Sequence, residues 1–164
     1  MMTKTVKALP EGFHSITPSL IVKDGVKAIE FYKKAFGAEE IKRAMGPDGK
    51  GVLHAHLKIG DSAFFLTEEN SKQRTQSPET LHAVTATFYL YMNDVDTAFK
   101  QAVAAGAKEE MPVMEMFWGD RTGSVVDPFG HKWVIATHTR DMTYQEIEKE
   151  KEAFFAQMSS TKPM

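Results

Sequence analysis

With 164 residues, 20 basic against 22 acidic side chains and a formal net charge of −2, the chain has no surplus positive field to hold a phosphate backbone or an anionic membrane surface. Having no cysteine, it has no disulfides, thiol nucleophile or thiolate metal site, and no stretch approaches the ~20 apolar residues of a membrane span. A hydrophobic share of 42% at this length predicts a soluble globular protein of about one domain; Met1 to Ser15 lacks a signal-peptide core, so a cytoplasmic location is expected, with neither nucleic acid nor membrane as partner.

In chain order, Ile16 to Val22 alternates loosely and predicts a strand, and Asp24-Gly25 turns the chain into a helix over Val26 to Phe36. There Ala28, Ile29, Tyr32, Ala35 and Phe36 recur at helical spacing before the stop at Gly37. Val52 to Ile59 alternates strictly, which places Leu53, Ala55, Leu57 and Ile59 beneath the helix and His54, His56 and Lys58 on the other face. Gly60-Asp61 reverses the chain into Ser62 to Thr67, and polar Asn70 to His82, holding Pro78, predicts a mobile connector.

The second half repeats the order strand, helix, strand, strand. Thr87, Tyr89 and Tyr91 share one face of a strand over Ala86 to Met92, and Val95, Ala98, Phe99, Ala102 and Val103 form a helical stripe ending at Gly106. Arg121 to Val126 and Lys132 to His138 predict a hairpin closed by Asp127-Pro128-Phe129-Gly130, a structural turn, with His131 exposed after it. A capping box, Thr143-x-x-Glu146, opens a helix to Met158 with an apolar stripe of Tyr144, Ile147, Phe154, Phe155 and Met158, which calls for a surface on its own domain or on a second subunit. Landmarks of the two halves lie about 70 positions apart, among them Thr17 and Thr87, Gly37 and Gly106, and Gly60 and Gly130. Such a spacing suits a duplicated module, and two facing half-barrels would enclose a cavity.

The segment from Trp118 through Asp127-Pro128-Phe129-Gly130 to His138 resembles the signature of the PhnB-like branch of the glyoxalase, bleomycin-resistance and dioxygenase superfamily. Phe31 to Glu39 and His54 to Ser62 resemble landmarks of its first module, so the likeness covers roughly Ser15 to His138. It implies an α+β fold: two βαβββ modules, about 15–69 and 84–139, form a curled mixed sheet around a cavity within one domain, 1–139, followed by a helical tail, 140–164. Metal-dependent members carry His, Glu or Gln at four positions that fall here on Thr17, Phe65, Thr87 and Val134. None of these is a usual transition-metal ligand, so neither a metal nor another cofactor is expected there.

The predicted function is small-molecule binding without the superfamily's usual metal site. Phe65, Tyr89, Tyr91, Val134 and Trp118 are the expected apolar enclosure, and Thr17, Ser19, Thr87, His54 and His56 the orienting groups. Trp118 sits in a lid-like run, Met114 to Gly119, with Arg121 just beyond it; Trp118 either covers a ligand or belongs to the core, and Arg121 either takes a ligand carboxylate bidentately or pairs with Asp120 or Asp127. The expected partners are a small aromatic or amphipathic molecule and a second copy of the chain in a homodimer. One alternative is a metal-dependent lyase, isomerase or dioxygenase holding a divalent metal at His54, His56 and His138, or using one imidazole as a base. Another is a non-catalytic structural or partner-binding module. There is no complete catalytic set, and no phosphate loop, nucleophile elbow or His-Glu-x-x-His helix.

Overall fold

Two aspartates, Asp24 and Asp94, open the principal helix of each half. In the computed structural model, which describes residues 7–160, strand β1 (Ser19–Val22) leads into helix α1 (Gly25–Phe36), then β2 (Glu39–Met45), β3 (Val52–Ile59) and β4 (Ser62–Glu68). A 3₁₀ turn (Ser71–Gln73) and a short helix α2 (Pro78–Leu81) precede β5 (Thr87–Tyr91), α3 (Val95–Ala105), β6 (Lys108–Glu115), β7 (Asp120–Val126), β8 (Lys132–His138) and α4 (Tyr144–Ser160). The start of the segment screened for a signal peptide, residues 1–6, and the end of the expected tail, residues 161–164, lie outside the described residues.

The strand orders are β1-β4-β3-β2 and β5-β8-β7-β6. In each sheet the first and last strands pair in parallel and the other neighbours antiparallel. This is the expected α+β architecture of two βαβββ modules, with a helix after the second. The chain divides into two compact units, one running through Thr85 and taking in Pro128–His131, the other formed by Ala86–Asp127 and the chain from Lys132 onward. Leu20, Val22, Ile29, Tyr32, Leu57 and Leu66 fill the first core, and Val95, Phe99, Val125, Trp133 and Ile135 the second.

The repeat extends to individual hydrogen bonds. Asp24 accepts from the Lys27 amide at 3.0 Å and Asp94 from the Thr97 amide at 3.1 Å, each capping its helix. The first amide of α1, Gly25, donates to Glu68 Oε1 at 2.8 Å, and that of α3, Val95, to Thr137 Oγ1 at 2.9 Å. The end of the last strand of each module thus holds the start of its helix.

Several local expectations change. Strands β2 and β6 show no clear alternation; both are sheet edges, where charged residues and Pro112 are tolerated because one side needs no ladder partner. Leu53 is 57% exposed and Val52 takes the core position instead, because Ala44 pairs with His54 and Met45 with Val52, leaving Leu53 as the extra residue of a bulge. The 70–82 segment holds a 3₁₀ turn, a short helix and a fully buried Ser77, whose amide and hydroxyl both donate to Glu69, so it is an ordered connection. His131 is buried, with Nε2 3.0 Å from the Ile21 carbonyl oxygen, because its turn packs in the first unit, where Phe129 meets Phe31 and Tyr32. The 143–146 capping box forms as predicted, the Thr143 amide and hydroxyl each donating to Glu146 at 2.7 Å. The α4 aromatics find their surface within the second unit, Phe154 and Phe155 lying 5.5 and 5.9 Å from the Phe117 ring.

Candidate functional site

Alternation along the strands sends one set of side chains under each helix and the other to the opposite face of its sheet. In the first module that opposite face carries His54, His56 and Phe65, and with Thr17, Ile41, Lys42 and, from the preceding segment, Leu9, Pro10, Phe13 and His14 it lines a groove of about 530 Å³. Phe65 sits against both histidines, ring centroids 4.7 Å from His54 and 5.7 Å from His56, and Phe13 covers His56 at 4.7 Å. Burial, then the charge of Lys42 and the neighbouring His54, lower the His56 pKa and favour its neutral form. Ser19 pairs with Phe65 in the register, whereas Thr17 precedes the strand and lines the groove from the loop.

In the second module the corresponding face carries Tyr89 and Tyr91 on β5, Val134 and His138 on β8, and Asp120, Thr122 and Ser124 on β7. Asp120, only 3% exposed, gathers four donors. Its Oδ2 accepts from the Tyr91 hydroxyl at 2.9 Å, the Tyr89 hydroxyl at 3.2 Å and Trp118 Nε1 at 3.2 Å, while Oδ1 lies 2.7 Å from His138 Nδ1. The other ring nitrogen of His138 lies 3.0 Å from Asp141. Burial pushes the Asp120 pKa up, but the bonds from His138, Tyr91, Tyr89 and Trp118 outweigh it and hold the carboxyl below its ordinary range. The Asp120 and Asp141 carboxylates raise the His138 pKa, and burial pushes the Tyr89 phenol up to about 12. Tyr89, Tyr91, Trp118 and Asp120 line an open pocket of about 400 Å³.

A glycine places the indole there. The β6–β7 turn is closed by Met116 and Asp120, and the Gly119 carbonyl accepts from the Thr139 and Arg140 amides at 2.9 and 3.0 Å. A Cβ on Gly119 would clash with the Arg140 carbonyl oxygen, and φ is +94°, so glycine is required. The expected lid run Met114 to Gly119 is therefore the end of a strand and a tied hairpin turn.

Arg121 stands apart from the groups it was grouped with. As the strand neighbour of Asp120 it points to the helix face, where Asp96 of α3 takes it bidentately at 2.8 and 2.9 Å and Glu115 lies at 3.4 Å. Its partners are thus Asp96 and Glu115 in place of the expected Asp120 or Asp127; Asp127 accepts from Trp133 Nε1 at 2.9 Å. Thr87 is an exposed start of β5, opposite Lys132.

The metal positions implied by the resemblance can be tested in the register. Phe65 lies between Ser19 and His56, and Val134 between Tyr89 and Ser124, so the two occupy the same place in their sheets. Neither side chain carries a lone pair, and the hydroxyls of Thr17 and Thr87 are weak donors, so these residues do not fit a transition metal. His54 and His56 have the Phe65 ring against them, and both nitrogens of His138 are engaged within the second unit. Among the described residues, no three His, Asp or Glu side chains are grouped to hold a metal ion.

Residues 12–135 match the model of the glyoxalase, bleomycin resistance protein and dioxygenase superfamily. The chain belongs to that superfamily. Among its relatives, protein Rv0887c of Mycobacterium tuberculosis is 37% identical over 137 residues, 82% of this chain and 80% of its own. Solved structures with a similar fold include the following two. The At5g48480 product of Arabidopsis thaliana has a TM-score of 0.62 at 30% identity, covering 76% of this chain and 98% of that one. TioX from Micromonospora sp. ML1 has a TM-score of 0.60 at 26% identity, covering 75% and 97%.

Asp120 is the site residue that sequence reasoning passed over except as a partner for Arg121. Its signal was the alternation of Asp120, Thr122 and Ser124, three polar residues on one face of a strand whose other face holds Gly123 and Val125. That pattern marks a strand with a polar interior face, but without the register nothing says that two tyrosines and an indole converge on its first residue.

Proposed function

We propose that this protein is a small-molecule-binding member of the PhnB-like branch, working without a metal at the superfamily's usual positions. The carrying observation is the replacement of donor groups by aromatic surface: Phe65 stands against His54 and His56 where a ligand to a metal would be needed, in a groove of about 530 Å³. A concave surface of that size with few polar groups suits a compact aromatic or amphipathic molecule. Tyr89, Tyr91, Val134 and Trp118 give the second module a similar face, and His54, His56, Ser19 and Thr17 are the groups able to orient what binds the first. A homodimer agrees with the exposed Tyr144, Phe155 and Met158 of α4. A cytoplasmic location agrees with the lack of cysteine, and no helix among the described residues is long and apolar enough to cross a membrane.

Isothermal titration of purified protein against neutral, anionic and cationic aromatic compounds, with and without EDTA, tests this reading. Saturable binding unaffected by EDTA and weakened by Phe65→Ala is the expected result. Binding that needs added zinc, nickel or iron and vanishes in the His54→Ala, His56→Ala variant would transfer the case to the metal-dependent enzyme.

A further inference from the structure

We propose that Tyr89, Tyr91 and Trp118, gathered around Asp120, form a cage for a quaternary or methylated ammonium group, which names the ligand class for the second module and rests on the reading of that face as a ligand surface.

The polar ends of the three aromatic side chains are already committed. Both phenol hydroxyls and the indole N–H donate to one oxygen of one buried carboxylate. What they leave to the pocket is ring surface: Tyr89 is 44% and Tyr91 60% exposed, their centroids 5.2 Å apart and their planes 44° from each other. A cation over this pair lies within the ~6 Å at which a ring quadrupole attracts it, and Trp118, the strongest of the common cation–π partners, stands at the same pocket. Donating a hydrogen bond to a carboxylate also pushes electron density into a phenol ring and strengthens that attraction.

Charge points the same way. Among the described residues, no lysine or arginine lines the pocket. The two arginines nearest in sequence are neutralised elsewhere, Arg121 by Asp96 and Arg140 by Glu150. With Asp120 and Asp141 on either side of His138, the group carries a net negative formal charge in both protonation states of the imidazole. An anion would therefore meet repulsion and no free donor. A primary ammonium would find the carboxylate already supplied with donors, four to its two oxygens. An ammonium with methyl groups in place of N–H needs no acceptor and matches a wall of rings.

The test is titration of the full-length protein with phenyltrimethylammonium and choline, with 3,3-dimethylbutan-1-ol as the uncharged isostere of choline and benzoate as the anion. Trp118 fluorescence serves as a second readout. Choline is expected to bind about tenfold tighter than its isostere, and benzoate not at all at the same concentrations. Tyr91→Phe, which keeps the ring, should bind choline within about threefold of the parent, whereas Tyr91→Leu should lose about tenfold. Tyr91 is the most exposed of the three, and near-parent thermal unfolding of both variants checks that the fold is kept. Equal affinity for choline and its isostere, or unchanged affinity in Tyr91→Leu, overturns the cage. If the neutral compound still binds and depends on Tyr91, the ligand face survives without cation selectivity; if none of the four probes binds, both readings of this face fall.

Discussion

Asp120 and His138, 18 positions apart, meet across the β7–β8 pair with Oδ1 and Nδ1 2.7 Å apart. The contact sets the tautomer or charge of the imidazole, and the opposite oxygen of the same carboxylate anchors three aromatic side chains. Removing Asp120 leaves four donors without their common acceptor. Asp120→Ala is expected to cost about 2–4 kcal/mol in urea unfolding, and Asp120→Asn clearly less, since it keeps one acceptor oxygen. Equal small losses in both would show that the network is not a stabilising unit.

The same contact has a sign with pH. The folded pKa of His138 is raised above its ordinary value of 6.5 by Asp120 and Asp141. Its contribution to stability is therefore fully present below the unfolded value and is lost as pH rises through the folded one. NMR titration should show His138 losing its proton at a higher pH than a free imidazole, and unfolding midpoints of the parent relative to His138→Gln should fall across that interval. A His138 pKa at or below the free value would contradict the assignment.

Elemental analysis of protein purified without chelator should find no stoichiometric zinc, nickel or iron, and EDTA should leave the thermal midpoint unchanged, because Thr17, Phe65, Thr87 and Val134 supply no adequate ligand set. One metal per chain that disappears in the His54→Ala, His56→Ala variant would reverse this.

Arg121→Ala is expected to leave ligand affinity at the parent value and to lower the thermal midpoint slightly, since its guanidinium braces α3 through Asp96. Tyr89→Ala should weaken binding of aromatic ligands by about 1–3 kcal/mol, the range for losing a buried aromatic contact and its area. A loss of affinity in Arg121→Ala comparable with that in Tyr89→Ala would put the ligand on the other face of the sheet.

Gly119→Ala should destabilise by about 2 kcal/mol or more, combining a strained positive φ with a Cβ placed against the Arg140 carbonyl. It should also change Trp118 fluorescence, because the indole loses its fixed approach to Asp120. A variant as stable as the parent would mean that the turn can move away from residues 139 and 140 at little cost.

The repeated strand, helix, strand, strand order, the Asp24 cap, the α4 capping box and the aromatic content of the two sheet faces were legible in the sequence, whereas the further strand of each module came only through the family likeness. They rest on local chemistry: side-chain period, cap geometry, and turns that few residue types permit. The absence of metal donors at Thr17, Phe65, Thr87 and Val134 was legible through the family likeness. What only the tertiary structure decided depends on pairing between distant strands. The bulge that turns Leu53 outward exists only because β2 pairs with β3 out of step. Arg121 and Asp120 are neighbours in the chain but lie on opposite faces of β7, so one braces a helix and the other organises a pocket. Tyr89, Tyr91, Trp118 and His138 come from a strand, a turn and another strand, and no spacing along the chain announces that one carboxylate receives them all. Register selects which residues share a face, and it is set by hydrogen bonds between segments that the sequence lists far apart.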